Sequence, residues 1–279
     1  TKATNYGQWE RAANILIGYY KDWGIRVFKI DGIDLNGKAS ETNLRKMFEK
    51  VLQETEGKAV FNIDVTAGRR GGFHYFTEYG NIFLENRYTD WGNYYPHRTL
   101  RNLWMLSRYV PAEKLQIEFL NPTRNVNKYD HTDILAPSRI PFDYQVAITL
   151  MAQPLAWMEL SGLPEKYHNI STLLNSYREH QHKIHKGTIL PIGSEPNGYS
   201  WTGFQSIVNE SQGYLLVFRE NHKDNEFGIN TWLPAHLNII MTDVLTQKTV
   251  ERSTDSEGQL KVHLPRPFSF QLLHYSIQY

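Results

Sequence analysis

The chain has 279 residues, of which 41% are hydrophobic and 13% aromatic, and this composition excludes disordered and collagen-like classes. Its formal net charge of +1 provides no basic field of the kind that binds nucleic acid or an anionic membrane, and no stretch approaches the length of a membrane span. With no cysteine, the chain has no disulfide framework and no thiolate metal site. We therefore expect a neutral small-molecule partner. The compartment stays open, a secreted or periplasmic location being one candidate.

The first two thirds of the chain alternate helical periodicity with short apolar runs, which is the pattern of a parallel sheet covered by helices. The spacing of apolar residues predicts helices over about 8–22 and 98–109. It also predicts a helix that follows Ser40 as its N-cap, and a last helix with Tyr167 and Tyr177 on one face. It predicts strands at 25–31, 59–64, 81–85 and 115–119, and a fifth within 144–150. Five strands leave open edges, whereas eight close into a barrel. We therefore expect strands four to eight of a (β/α)8 TIM barrel, completed by an upstream segment or chain.

After Gly187 the pattern changes to alternating segments separated by Gly, Pro, Asn and Asp. Strands are predicted at 213–219, 236–242 and 268–275, without a convincing helix, which indicates a small antiparallel β-sandwich domain. The predicted domains are therefore the barrel portion, residues 1–187, and the β domain, residues 188–279.

Acidic residues follow three successive predicted strands. The first strand ends in Lys29-Ile30-Asp31 and the second in Asp64, and the third runs into Arg87-Tyr88-Thr89-Asp90-Trp91. In a βα barrel the reactive groups project from the carboxyl ends of the strands, so these side chains belong at one site. A single Asp at a strand end is often only a turn residue, as Asp31-Gly32 illustrates. A set of three favours the paired carboxylates of glycoside hydrolysis, with aromatic residues such as Trp91 stacking on sugar faces.

Other candidate residues have alternative interpretations. Glu85 is a second candidate acid, although it can instead pair with Arg87. Arg69 and Arg70, beside glycines, are candidates for binding a phosphate or carboxylate, or for a charged surface loop. His180, His182 and His185 lack metal-site spacing, so we expect a solvated helix end and no metal. No Gly-rich fingerprint follows a strand, so no cofactor is expected.

The segment Val27-Phe28-Lys29-Ile30-Asp31-Gly32 resembles the nucleophile strand of the α-galactosidase clan, glycoside hydrolase families 27 and 36. Arg87-Tyr88-Thr89-Asp90 resembles the clan's later segment that carries the general acid/base. The loop from Asp64 to Gly72 occupies the place of the loop that recognises the sugar's 2-position. Two departures concern that loop, which lacks the cysteine usual in family 36, and Ile30, which replaces an aromatic residue.

The resemblance implies a retaining exo-α-glycosidase, most nearly an α-galactosidase. Asp31 would be the nucleophile and Asp90 the general acid/base, with their carboxyls roughly 5 to 5.5 Å apart. Lys29 and Arg87 would bind hydroxyls, Asp64 would help to select the substituent at C2, and Arg69 and Trp91 complete the expected substrate site. The alternatives are a transglycosylase of the raffinose-synthase type and a carbohydrate-binding or inactive barrel.

Overall fold

The structure is a computed structural model that describes residues 8–31, 37–64, 77–83, 87–158, 162–168 and 170–278. The contacts divide the chain into two compact units, the first comprising Thr1–Asn86 with Lys114–Gln116 and the second Arg87–Glu113 with Ile117–Tyr279. The predicted division at residue 187 stays a prediction. None of the helices in the described ranges is long and apolar enough to cross a membrane.

The first unit alternates helices and strands, in the order α1 (Trp9–Trp23), β1 (Val27–Ile30), α2 (Lys38–Glu54), β2 (Val60–Asp64) and β3 (Gly80–Phe83). The helix α1 ends where Gly24 takes the left-handed conformation, with φ of 70°, and its N–H donates to the carbonyls of Tyr19 and Tyr20. The prediction that Ser40 is the N-cap of α2 is wrong. Gly37 holds that position in extended conformation, and Ser40 lies buried within the helix, because α2 begins a turn earlier than its apolar periodicity.

The core of the first unit lies between α2 and the sheet. Apolar residues at helical spacing on α2 are buried, and Phe48 packs on Phe61 of β2 with ring centroids 4.3 Å apart. Both rings are fully buried, and each contributes roughly 1.5–3 kcal/mol. A Cβ on Gly80 would lie 2.0 Å from the carbonyl oxygen of Phe61, so only glycine permits β2 and β3 to approach this closely.

The parallel strands are hydrogen-bonded in the order β1-β2-β3-β4-β5, where β4 is Leu115–Phe119 and β5 is Gln153–Ala156. The register pairs Phe28 with Phe61, Ile63 with Ile82 and Ile82 with Leu115. The carboxyl ends of β1 to β4 therefore point the same way, as the alternating sequence pattern predicts.

The second unit contains three further helices, α3 (Pro96–Leu106), α4 (Phe142–Ala147) and α5 (Ile170–Lys186). The prediction of a strand within 144–150 is wrong, because α4 and the following turn occupy this segment. Residues 144–150 are all buried and mostly apolar, and a short buried run carries no periodicity that separates a helix from a strand. The fifth strand instead follows this helix and contains Pro154.

Eight antiparallel strands follow α5, and they confirm the predicted change to an antiparallel sheet. The strands are β6 (Thr188–Gly193), β7 (Trp201–Ile207), β8 (Gln212–Arg219), β9 (Glu226–Asn230), β10 (Asn238–Asp243), β11 (Thr249–Ser253), β12 (Gln259–His263) and β13 (Ser269–Ile277). Six form one sheet in the order β11-β10-β13-β8-β7-β6, and β12 pairs with β9. The two sheets share a core that includes Leu215, Ile229 and Leu260.

The strand β8 is buried on both faces. Leu215 and Val217 face the core shared with β9 and β12. On the other face, Phe218 lies 5.2 Å from Tyr144 of α4, measured between ring centroids, and the Tyr214 hydroxyl lies 2.9 Å from Nδ1 of His180 on α5. The helices and the antiparallel sheet are therefore packed as one unit.

Candidate functional site

Three charged residues mark the carboxyl ends of β1 and β2 in the first unit. The ammonium of Lys29 lies 3.8 Å from Oδ2 of Asp64 and 4.8 Å from the ring centroid of Phe83. Asp64 is buried, whereas Asp31, the residue after β1, is exposed. The structure thus brings Lys29 and Asp64 together at the ends of two paired strands. Asp31 presents its carboxylate at the same end of the sheet.

A cavity of about 500 Å³ lies within the second unit. Three segments form its wall: a short 3-10 helix at Thr89–Trp91 and its preceding residue, the turn after β4, and the residues at the end of β5. Its lining residues are Tyr88, Thr89, Asp90, Leu120, Asn121, Arg124, Ala156, Trp157 and Met158. The 3-10 helix segment and the residues that follow β4 and β5 therefore supply this cavity with one carboxylate, one guanidinium, one amide and two aromatic rings.

Asn125 holds Asp90 from the turn after β4. Its Nδ2 donates a hydrogen bond to Oδ1 of Asp90 and lies 3.2 Å from Oγ1 of Thr89. Asn125 takes the left-handed conformation, with φ of 54°, which asparagine tolerates better than most residues. One carboxylate oxygen of Asp90 is thereby fixed.

The chemistry of this cavity suits a polyhydroxylated ligand. The Asp90 carboxylate accepts hydrogen bonds, and the Asn121 amide and Arg124 guanidinium donate them. The half-exposed ring of Trp157 offers an apolar face beside these groups. Alternating polar edges and apolar faces are what a sugar ring presents, so the cavity can bind and orient a carbohydrate.

Arg87 lines a second cavity, of about 630 Å³, and not the one that contains Asp90. Its neighbours there include His97, Arg98 and Arg101, and Arg101 forms an ion pair with Glu195. Burial, assisted by the charge of Arg98, lowers the pKa of His97 to about 4, so this imidazole is neutral at pH 7. The structure therefore separates Arg87 from Asp90 although three residues of sequence connect them.

The remaining predicted residues have different surroundings. Trp91 is 64% exposed and packs edge-on against Tyr88, with ring centroids 4.9 Å apart, but it does not line the Asp90 cavity. Arg69 and Glu85 lie outside the described residues. His180 and His185 lie on α5, where each ring approaches a tyrosine hydroxyl, that of Tyr214 or Tyr177.

Sequence reasoning missed three residues on the cavity wall: Asn121, Arg124 and Trp157. Asn121 follows β4 by two residues, and applying the strand-end rule to this correctly predicted strand would have found it. Trp157 directly follows β5, but the strand was placed within 144–150, so its end was placed wrongly too. Arg124 lines the cavity because of the conformation of the turn after β4, and the sequence carries no clear signal for that conformation.

No protein-family model and no curated protein matches the chain. Solved structures do match it. A family 36 α-galactosidase from Geobacillus stearothermophilus in complex with 1-deoxygalactonojirimycin aligns with a TM-score of 0.68 at 12% identity, covering 99% of this chain and 39% of its own. A maltogenic α-amylase from Thermotoga neapolitana aligns with a TM-score of 0.58 at 10% identity, covering 98% of this chain and 66% of its own.

A third structure, a putative α-N-acetylgalactosaminidase from Bacillus halodurans, aligns with a TM-score of 0.57 at 13% identity, covering 95% of this chain and 61% of its own. The chain thus spans less than two thirds of each of these three proteins. Likeness at this level of identity establishes a shared fold. The chain therefore shares with parts of these three structures a fold of an α/β parallel sheet followed by antiparallel sheets.

Proposed function

We propose that this chain is the C-terminal portion of a retaining exo-α-glycosidase, most nearly an α-galactosidase. In this proposal the five parallel strands are strands four to eight of a (β/α)8 barrel, and an upstream segment supplies the others. Asp31 attacks the anomeric carbon while Asp90 protonates the leaving oxygen, and Asp90 then activates the water that hydrolyses the glycosyl-enzyme. The substrate is a glycoside or oligosaccharide.

The observation that carries the proposal is the placement of acids at the carboxyl ends of adjacent parallel strands. Asp31 follows β1, and Asp64 ends β2 within 3.8 Å of the Lys29 ammonium. Such strand ends hold the reactive groups of enzymes built on parallel barrels. Asp90 adds a carboxylate on the wall of a cavity with aromatic faces. Likeness to three glycosidase structures, two of them named for α-galactoside-type substrates, supports the same reading.

The other residues bind substrate in this proposal. Lys29 and Asp64, already paired, offer a donor and an acceptor to neighbouring hydroxyls, and Asp64 helps to select the substituent at C2. Arg87, Arg69 and Trp91 are further substrate contacts. No cofactor takes part, because both steps of a double displacement need only the two carboxyls and water.

Hydrolysis of a panel of p-nitrophenyl α- and β-glycosides by the full-length protein tests the proposal. We expect cleavage of the α-galactoside, and a loss of roughly 10³-fold or more in kcat for Asp31→Asn, because the substituted amide is a poor nucleophile. Asp22→Asn, on the exposed face of α1, is the matched control and should retain full activity.

The other outcomes separate the alternatives. Transfer to an added sugar in place of water would indicate a transglycosylase of the raffinose-synthase type. Sugar binding without turnover of any glycoside would reject the hydrolase and favour a carbohydrate-binding or inactive barrel. Cleavage of a β-glycoside alone would reject the α-specific mechanism.

A further inference from the structure

Asn121 is a buried polar residue on the wall of the Asp90 cavity. It follows β4 by two residues, and only 3% of its surface is exposed. The backbone turns here, since the N–H of Arg124 lies 3.3 Å from the carbonyl oxygen of Asn121. Asn121 and Arg124 therefore face the cavity from the two ends of one turn.

The hydrogen bonds of Asn121 fix the orientation of its amide. Its Oδ1 accepts from the backbone N–H of Thr123 at 3.0 Å and from the Thr123 hydroxyl at 2.7 Å. A backbone N–H can only donate, so the atom that faces it must be the oxygen. The Nδ2 group is consequently turned away from this turn, and it has no hydrogen-bonding partner among the residues that the structure describes.

An amide donor that is shut off from bulk water and unpaired is unusual in a folded protein, because it costs the full desolvation penalty of the group. Asn209 shows the contrast. Its Oδ1 accepts from the N–H and hydroxyl of Ser211 in the same way, but Asn209 is exposed and water satisfies its amide. Asn121 lines the cavity, so a group seated there is the candidate partner for its amide.

We propose that Asn121 is a specificity-determining residue whose Nδ2 donates a hydrogen bond to one hydroxyl of the bound sugar. This inference rests on the proposed function, and it identifies the side chain that donates a hydrogen bond to that hydroxyl. The cavity wall carries both the Asp90 carboxylate and the Arg124 guanidinium, whose charges offset each other, so the acceptor is an uncharged hydroxyl oxygen. A sugar that lacks this hydroxyl leaves the buried amide unpaired, so it binds less tightly.

Single-hydroxyl deletion in the substrate tests the inference. The probes are p-nitrophenyl α-D-galactoside and its four monodeoxy derivatives, with the full-length protein. We expect Asn121→Ala to lower kcat/KM for the parent glycoside about 10-fold, the value of one hydrogen bond to a buried donor. One deoxy substrate should lose about 10-fold with the wild-type protein and nothing further with the variant.

Folding is controlled separately. Asn121→Asp keeps the acceptor for Thr123 but puts a carboxylate oxygen in place of the amide donor. Asn209→Ala alters the matching exposed turn and should leave all five kcat/KM values unchanged. A uniform loss on all five probes in Asn121→Ala, with no coupling to any single hydroxyl, would mean that Asn121 serves the fold alone and would overturn the inference.

Binding measurements distinguish failure of this inference from failure of the proposed function. If no glycoside is cleaved, calorimetric titration with D-galactose and its monodeoxy forms replaces kinetics, and the proposed hydrolase is rejected on its own. Coupling of Asn121 to one hydroxyl in these titrations still supports the inference. Equal binding by wild type and variant, or no binding by either, overturns it.

Discussion

Glu220, the residue after β8, holds the loop between β6 and β7 in place. Its side chain is fully buried, and Oε2 accepts the backbone N–H groups of Asn197, Gly198 and Ser200 at 3.0, 2.8 and 2.8 Å. The substitution Glu220→Ala removes the acceptor of all three hydrogen bonds at once. Gly198 has a φ of 94°, a left-handed backbone conformation that glycine adopts without steric cost.

The size of the effect follows from these contacts. Hydrogen bonds to a charged acceptor contribute about 1.5–3 kcal/mol each, so three bonds give a gross loss of roughly 5–9 kcal/mol. Burial raises the pKa of Glu220, which shows that its charge is costly to keep in the interior, and the loop can admit water once the side chain is gone. These two terms offset part of the loss, and we expect a net destabilisation of about 3–5 kcal/mol. Glu220→Gln keeps one acceptor oxygen and should lose about half as much.

Urea unfolding followed by circular dichroism measures the free energy of unfolding, and hydrogen exchange at Asn197, Gly198 and Ser200 reports the loop directly. Glu257→Ala is the control, since this glutamate is exposed and its loss should change stability by no more than about 0.5 kcal/mol. A loss below about 1 kcal/mol in Glu220→Ala, with the three amides exchanging as slowly as in the wild type, would refute this reasoning.

Three further predictions concern the second unit. Burial lowers the pKa of His97 from 6.5 to about 4, so the unfolded chain takes up a proton that the folded chain does not, and stability falls as the pH drops from about 6.5 to 4. Urea unfolding at pH 7 and at pH 4.5 should show the free energy of unfolding of the wild type falling by about 1–3 kcal/mol at the lower pH. His97→Gln should reduce this fall, and an equal fall in the variant would contradict the prediction. Asn125→Gly keeps the left-handed backbone but releases Asp90, so kcat for an aryl α-galactoside should fall about 10-fold with little change in KM; equal kcat would show that Asn125 does not position Asp90. Trp157→Ala should raise KM about 10-fold and Trp91→Ala less, because only Trp157 lines the cavity; the reverse order would locate the sugar elsewhere.

Local patterns predicted the parts of the fold that have one buried face. The apolar residues of α2 recur at helical spacing, and the bounds of β4 are those expected from Leu115–Phe119 alone. The same patterns predicted a strand around Tyr144, where the structure has a helix, because a helix buried on all sides and a central strand can have similarly apolar sequences. The sequence did not indicate β5, because this strand contains Pro154 and proline is rare inside strands.

The candidate site was predictable to the extent that strand ends define it. Lys29 and Asp64 lie close together because residues at the ends of paired parallel strands are neighbours. The contacts of Asn121 and Asn125 were not predictable, because they depend on the turn after β4 and on a left-handed residue within it. The position of Arg87 was not predictable either: it is three residues from Asp90 in sequence, but it lines a different cavity.

The most direct test of the central claim is the stereochemistry of azide rescue with p-nitrophenyl α-D-galactoside. In Asp31→Ala the nucleophile is absent, so azide attacks the anomeric carbon directly as the bond to p-nitrophenolate breaks, and the product is the β-galactosyl azide. In Asp90→Ala the glycosyl-enzyme still forms, azide displaces Asp31 from it, and the product is the α-galactosyl azide. Proton NMR of the anomeric centre distinguishes the two. The account predicts opposite configurations from the two variants; the same configuration from both, or wild-type hydrolysis by Asp31→Ala without azide, would contradict it.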